Sequence, residues 1–267
     1  MSGSTFTGLL LDSNNSGIRM NTGSSSNRLI GNSIVNTVQF SGIQMGGNGH
    51  LVENNRFNNT NGAGVFLSGN DNVVRGNRIN DAGSNGITIG SFPTNPGPFV
   101  NNQVINNQIS GSSRVFSSSS ISLNNGSGTL IQGNVVNGRR TTPGVFVFNS
   151  ASTVVSGNTL VNNSSGVLVR RTSTGTQVIG NRAGQNTFAG VAIENGPVGT
   201  VVADNQVSQN GGNGISVSSS STTISRNTAT FNANLGIAAV SGVTDGGGNR
   251  ASGNGNPAQC SSNIACS

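Results

Sequence analysis

The sequence predicts an all-β solenoid of about ten coils, each built from three short strands. Three observations predict it. One asparagine returns every 22 to 30 residues, as Asn32, Asn55, Asn77, Asn107, Asn134, Asn158, Asn181, Asn205, Asn227 and Asn249. A Gly-apolar-x-apolar tetrad runs in step with it, from Gly17-Ile18-Arg19-Met20 to Gly236-Ile237-Ala238-Ala239. The composition suits stacked turns: of 267 residues, 41 are Gly and only 7% are charged, with no Trp and no Tyr. Self-similarity at such a period means that each unit buries its apolar side against the next.

The tetrad gives the first strand of each coil. Its period-two alternation puts two apolar residues inside and the residue between them outside. Nine of the asparagines follow an apolar residue by three positions, as Asn77 follows Val74 and Asn158 follows Val155. These positions give the second strand. Residues two positions after the asparagine, such as Phe57, Ile79 and Leu160, give the third; they weaken to Ala183, Ala229 and Ala251. The asparagine therefore marks the bend between the second strand and the third. Two properties suit it to that place. It tolerates left-handed backbone, and its amide can bond to the same residue one coil away, as in stacked-strand ladders. A further polar row, Asn27, His50, Asn72, Asn102, Thr129, Thr153, Thr176, Thr200 and Thr222, reads as a second ladder at another turn.

With these strands and turns the chain resembles the right-handed parallel β-helix of the pectate-lyase-like superfamily, over about 13–249. A leucine-rich repeat shares the period but needs apolar residues where that polar row stands, and a left-handed β-helix needs a hexapeptide period that is absent. The chain divides into 1–13, a trimmed start with a partial first coil, 14–250, the β-helix, and 251–267, a C-terminal cap. In that cap Cys260 and Cys266 are placed to form a small disulfide, which favours an oxidising, extracellular or cell- or virion-surface setting. Leu9-Leu10-Leu11 fits the last strand of an incomplete preceding coil. We expect an N-terminal domain or capping partner to cover that end, since an open β-helix exposes strand edges.

Several classes are excluded. No apolar run approaches the ~20 residues of a membrane-spanning helix. The net charge of +6 comes from 13 arginines, with no lysine, against 7 acids. Those arginines are scattered, so the dense basic stripe with stacking aromatics of a nucleic-acid binder is missing. No cofactor is expected.

The resemblance implies that any chemistry would lie on the outer face of the first-strand sheet. That row reads Arg19, Gln44, Phe66, Thr88, Ser122, Phe146, Leu168, Ala192, Ser216 and Ala238, with no acid and no histidine. The paired carboxylates of a glycosidase and the aspartate clusters of the superfamily's hydrolases and calcium-dependent lyases are not visible, so no catalytic residue is assigned. The row does carry Phe66 and Phe146. Arg114, Arg139 and Arg140 lie in turns leading into this sheet, and Arg170 and Arg171 leave it. Guanidinium pairs well with carboxylate or sulfate, so these seven residues are the candidate site for an acidic polysaccharide or a partner. His50 is read as structural. Glu53 with Arg75, and Arg170 with Glu194, are read as ion pairs stacked between coils.

The expected function is a non-catalytic extracellular binding or structural module. One alternative is a polysaccharide lyase or epimerase, with Arg139, Arg140 or Arg170 as base and Asp81 and Glu194 as the nearby acids. Another is a fibre or adhesin segment. The repeat spacing slips only between Asn77 and Asn134, at 90–100 and 110–119, and insertions in repeat proteins map to loops on the binding face.

Overall fold

The computed structural model describes residues 2–90, 97–113 and 118–267. Every long sheet is parallel and grows one strand per coil, in sequence order. Two sheets have 11 strands, the third has 10, and a two-stranded patch joins Phe99–Val100 to Gly126–Ser127. The Gly-apolar-x-apolar tetrads form the ten-stranded sheet, called here the first. The second holds strands such as Val73–Arg75 and Val154–Ser156, and the third strands such as Arg78–Asn80 and Thr159–Val161. The architecture is the right-handed parallel β-helix expected from the repeat. At ~4.8 Å per strand, the long sheets run roughly 48 Å.

The core is three inward columns, one per sheet. Ile43, Val65, Ile87 and Ile121 stack in the first, Val52, Val74 and Val104 in the second, and Phe57, Ile79 and Ile109 in the third, all essentially buried. Strands covered on one face by this core show the alternation that the sequence predicts. Glycine leads each first strand because the coil is tight there. A Cβ on Gly64 would lie 2.7 Å from the Gly86 carbonyl oxygen and 2.7 Å from Ile79 Cγ2.

The asparagine ladder runs unbroken through its ten copies, and one repeat shows its chemistry. Asn55 donates from both its backbone N–H and Nδ2 to Oδ1 of Asn77, at 2.9 and 3.0 Å, and Nδ2 also donates to the Leu29 carbonyl at 2.8 Å. The left-handed backbone, however, falls one residue earlier than expected. Gly31, Asn54, Gly76, Asn106, Gly157, Asp204 and Arg226 have positive φ, whereas the ladder asparagines do not. The preceding residue makes the bend, which swings the ladder side chain into the interior.

The same pair, a left-handed residue followed by an inward polar one, recurs at the other corners. After the third strand, Asn162-Asn163, Gln185-Asn186, Gln209-Asn210, Phe231-Asn232 and Gly253-Asn254 build a further ladder. Before the second strand, Asn27, His50, Asn72 and Asn102 are linked, with the His50 N–H donating to Asn72 Oδ1 at 2.9 Å. The threonine half of that row does not continue the chain. The hydroxyls of Thr129, Thr176, Thr200 and Thr222 are buried without a partner. A hydroxyl one bond from Cβ falls short of its copy across a ~4.8 Å strand spacing, whereas an amide spans it.

At the N-terminal end, Thr5–Thr7 pairs with Arg28–Ile30 and Leu10–Asp12 with Ser33–Val35. The preceding coil thus supplies two strands rather than the one expected. At the other end the strand Arg250–Ser252 runs across the expected boundary at 250. Beyond it the tail folds back over the last coil. Cys260 is disulfide-bonded to Cys266, Cys260 bridges to Ile237 and Cys266 to Asn249. Ile264 is buried over the core end. Gln259 Oε1 closes the third-corner ladder by accepting from the N–H and Nδ2 of Asn254, at 3.1 and 2.8 Å.

Candidate functional site

The outer face of the first sheet carries a groove of about 650 Å³. Its floor is Ser122, Phe146, Leu168 and Ala192, four consecutive positions of the outward row. One wall is made of hydroxyl-bearing turn residues, among them Ser119, Thr142, Ser164 and Ser165, with Asn85 and Phe188; Arg170 and Glu194 close the opposite rim. Ser118 and Ser119, at the end of the longer coil before Ile121, add to this wall, while Thr142, Ser164 and Ser165 come from coils of ordinary length. Phe146 and Leu168 are half-buried although they point away from the core. The Phe146 ring lies 5.6 Å from that of Phe148, at an interplanar angle of 47°, and Phe148 is the register partner of Arg170.

Of the seven candidate site residues, two line this groove, Phe146 and Arg170. Arg170 donates from Nε to Glu194 Oε2 at 2.5 Å, the coil-to-coil pair expected from the sequence. Arg139 turns to another coil: its Nη2 is bonded to Asp81 and its Nε donates to the Gly111 carbonyl at 2.7 Å. Arg140 donates from Nη2 to Asn162 Oδ1 at 3.0 Å, and its carbonyl accepts from the Thr187 hydroxyl. Arg171 sits with φ of 60° in the turn after Arg170. Phe66 stands on the same sheet between Gln44 and Thr88, in coils before the groove. Arg114 lies outside the described residues.

The sequence reading missed the hydroxyl wall, Phe148 and Phe188. Phe188 is 64% exposed beside the groove. Serine and threonine carry no site signal one by one, and only the three-dimensional register sets Thr142 beside Ser164. A signal existed for Phe148, the fourth residue of a strand whose second is Phe146.

Glu194 is the sole acid among the described residues lining the groove, so the two-carboxylate geometry of glycoside hydrolysis is not built there. His50 lies far from this face in sequence terms and is 1% exposed. The Asn27 N–H donates to its Nδ1 at 3.1 Å, which leaves the proton on Nε2, 3.3 Å from the Gly46 carbonyl and 3.3 Å from Ser24 Oγ. A ring in that tautomer cannot accept the Ser24 proton at Nε2, and the single Ser24 hydroxyl proton has two carbonyls in reach, Gly46 at 2.7 Å and Asn21 at 2.9 Å. Burial lowers the His50 pKa, partly offset by the Gly46 carbonyl. Among the described residues no group of three His, Cys, Asp or Glu could hold a metal ion, and no helix is long and apolar enough to cross a membrane.

Solved structures share the fold at low identity. A mutant of the periplasmic alginate epimerase AlgG matches with a TM-score of 0.54 and 14% identity, over 95% of this chain and 76% of that one. The Dettilon tailspike protein matches with a TM-score of 0.56 and 15% identity, over 97% of this chain but only 61% of that one. A mannuronic-acid-specific family 6 polysaccharide lyase from human gut microbiota matches with a TM-score of 0.51 and 13% identity, over 85% and 69%. No curated protein matches the sequence. Residues 1–119 match the model described as right handed beta helix region. Residues 92–254, more than half of the chain, match the model described as periplasmic copper-binding protein (NosD), and the chain belongs to that family.

Proposed function

We propose that this chain is a non-catalytic, extracytoplasmic β-helix module that holds an acidic polysaccharide in the groove on its first sheet. The observation that carries the reading is the groove itself: half-buried Phe146 and Leu168 on an outward face, hydroxyls on one wall and a guanidinium on the other rim. An apolar floor suits the flat face of a sugar ring, hydroxyls suit its polar edge, and Arg170 keeps further N–H donors for a uronate after giving Nε to Glu194. A location outside the cytoplasm is supported by the disulfide, by the family's description as periplasmic and by a periplasmic enzyme among the structures that share the fold.

Copper does not fit the residues present. Copper sites are built from thiolate, thioether and imidazole donors. The sequence has one histidine and two cysteines. His50 spends both ring nitrogens inside the coil, the cysteines are joined to each other, and of the three methionines Met20 and Met45 are buried in the core, while Met1 lies outside the described residues.

A uronate-directed lyase or epimerase is the second reading, favoured by the Arg170–Glu194 pair at the groove rim. Isothermal titration of size-defined oligouronates into the wild type and a Phe146→Ala/Arg170→Ala variant tests the first reading. Heat with the wild type and none with the variant supports it; no heat with any oligouronate sinks it. Ultraviolet absorbance from unsaturated uronides, or inversion of the uronate, would transfer the groove to the second.

A further inference from the structure

The described arginines differ in what the neighbouring coil sets beside them. Where an acid stands in the neighbouring coil, the guanidinium takes it. Arg75 donates to Glu53 at 2.8 Å, and Arg226 donates to Asp204 from both Nε and Nη2 at 2.8 Å. The third sheet does the opposite. Arg56 and Arg78 are direct register partners on adjacent parallel strands. Both are exposed, and neither guanidinium has a hydrogen-bond or ion-pair partner among the described residues. Like charges placed directly opposite on neighbouring strands are destabilising. Along the same outward column the chain uses uncharged residues on either side, Ser33 before the pair and Gln108 after it.

The surroundings of the pair are polar donors. The adjacent outward column carries Asn58 and Asn80 at the matching register. Ser110 Oγ donates to Asn80 Oδ1 at 2.6 Å, so the Asn80 amide nitrogen is left as a donor. Arg78, Asn80, Gln108 and Ser110 border a shallow trough of about 230 Å³. The one acid in these two columns, Asp12, lies at the N-terminal edge and accepts from Asn36 and Ser13. The columns hold no aromatic residue, so nucleic-acid bases would find no stacking platform.

We propose that the outer face of the third sheet binds a sulfated polysaccharide, with Arg56 and Arg78 clamping one sulfate ester between them. Two guanidiniums one strand apart, ~4.8 Å, can share the oxygens of one tetrahedral oxyanion. A planar carboxylate is saturated by a single arginine fork. The bound anion also cancels the repulsion that the free pair carries. Arg182 occupies the same outward column four strands further on, roughly 19 Å at that spacing, and gives an extended chain a second anchor. This face is separate from the groove and does not depend on it.

The test is calorimetric titration at fixed ionic strength with size-defined dextran sulfate and unsulfated dextran of the same length. Dextran sulfate binds the wild type and unsulfated dextran does not. Arg56→Gln/Arg78→Gln weakens binding at least tenfold, while Arg28→Gln, on the second sheet, leaves it within twofold. The unliganded double variant melts at or above the wild-type temperature, because a like-charge pair has been removed. Unchanged affinity in the double variant overturns the proposal. Equal weakening by Arg28→Gln overturns it in favour of a diffuse charge effect, and a lower melting temperature overturns it in favour of a structural role for the pair.

Discussion

Asn134 gives two hydrogen bonds to one oxygen of Asn158: its backbone N–H lies 2.8 Å, and its Nδ2 2.9 Å, from Asn158 Oδ1. Asn158 in turn donates to Asn181 Oδ1 at 2.9 Å and to the Ile131 carbonyl at 3.0 Å. Removing that side chain leaves the buried Asn134 N–H without its acceptor and takes one bond each from Asn134 Nδ2, Asn181 Oδ1 and the Ile131 carbonyl; Asn134 Nδ2 keeps the Val104 and Gln132 carbonyls, and Asn181 Oδ1 keeps the Asn158 N–H. Each unsatisfied buried group costs about 1–3 kcal/mol, and relaxation recovers part of that. Asn158→Ala is expected to lose about 2–4 kcal/mol of stability in denaturant unfolding. Asn158→Asp keeps the acceptor but buries a charge and loses both donations, so it should be no milder. A loss below 1 kcal/mol for either would show that the coils are held by core packing alone.

His50 makes the stability pH-dependent. Burial holds its folded pKa below the ordinary 6.5, so in the window beneath 6.5 the unfolded chain binds the proton first. Stability is then full above that window and declines as pH falls through it, by at most about 1.4 kcal/mol per pH unit. His50→Asn continues the row of Asn27 and Asn72. It should fold and should lose this slope. Denaturation midpoints at pH 7 and pH 5 check it; an equal slope in the variant would assign the dependence to other groups.

The cap is tied by a bond between residues 6 apart in sequence. Loop closure of that length is worth about 2 kcal/mol. Cys260→Ser/Cys266→Ser should therefore destabilise the last coil by about that amount. Faster hydrogen exchange at Ile237–Ala239 and Arg250–Ser252 is expected, with Val65–Ser68 unchanged. Uniform acceleration along the chain would mean that the stack unfolds as one unit.

Phe146 should matter for binding more than for folding. It points outward and is half-exposed, so Phe146→Ala is expected to cost about 1 kcal/mol of stability or less, well short of a buried Phe truncation. It should weaken oligouronate binding at least tenfold. Phe66→Ala, on the same row but outside the groove, should leave binding unchanged.

The repeat was legible because a coil must return the same inward side chain to the same column. That constraint writes Val74, Asn77 and Ile79 into every period. The position of the left-handed residue was not legible, since Gly76-Asn77 offers two residues that both tolerate it. The ladder through Asn163 and Asn254 stands five residues after the first, but over only half of the coils, too few for its period to stand out. The partner of Arg139 was hidden for a different reason. Asp81 is 58 residues away, across the coils where the spacing slips, so no fixed period points to it. Residue type and strand position pointed to Phe146 and Arg170. The hydroxyl wall exists only where the turns of neighbouring coils stand side by side.

Hydrogen exchange with and without an oligouronate tests the central claim most directly, because it reports where the chain binds. The account predicts protection at Val145–Phe148, Val167–Arg170 and the turn residues 141–144 and 164–166, with the outer faces of the second and third sheets unchanged. Protection confined to another sheet, or none at saturating ligand, would contradict it.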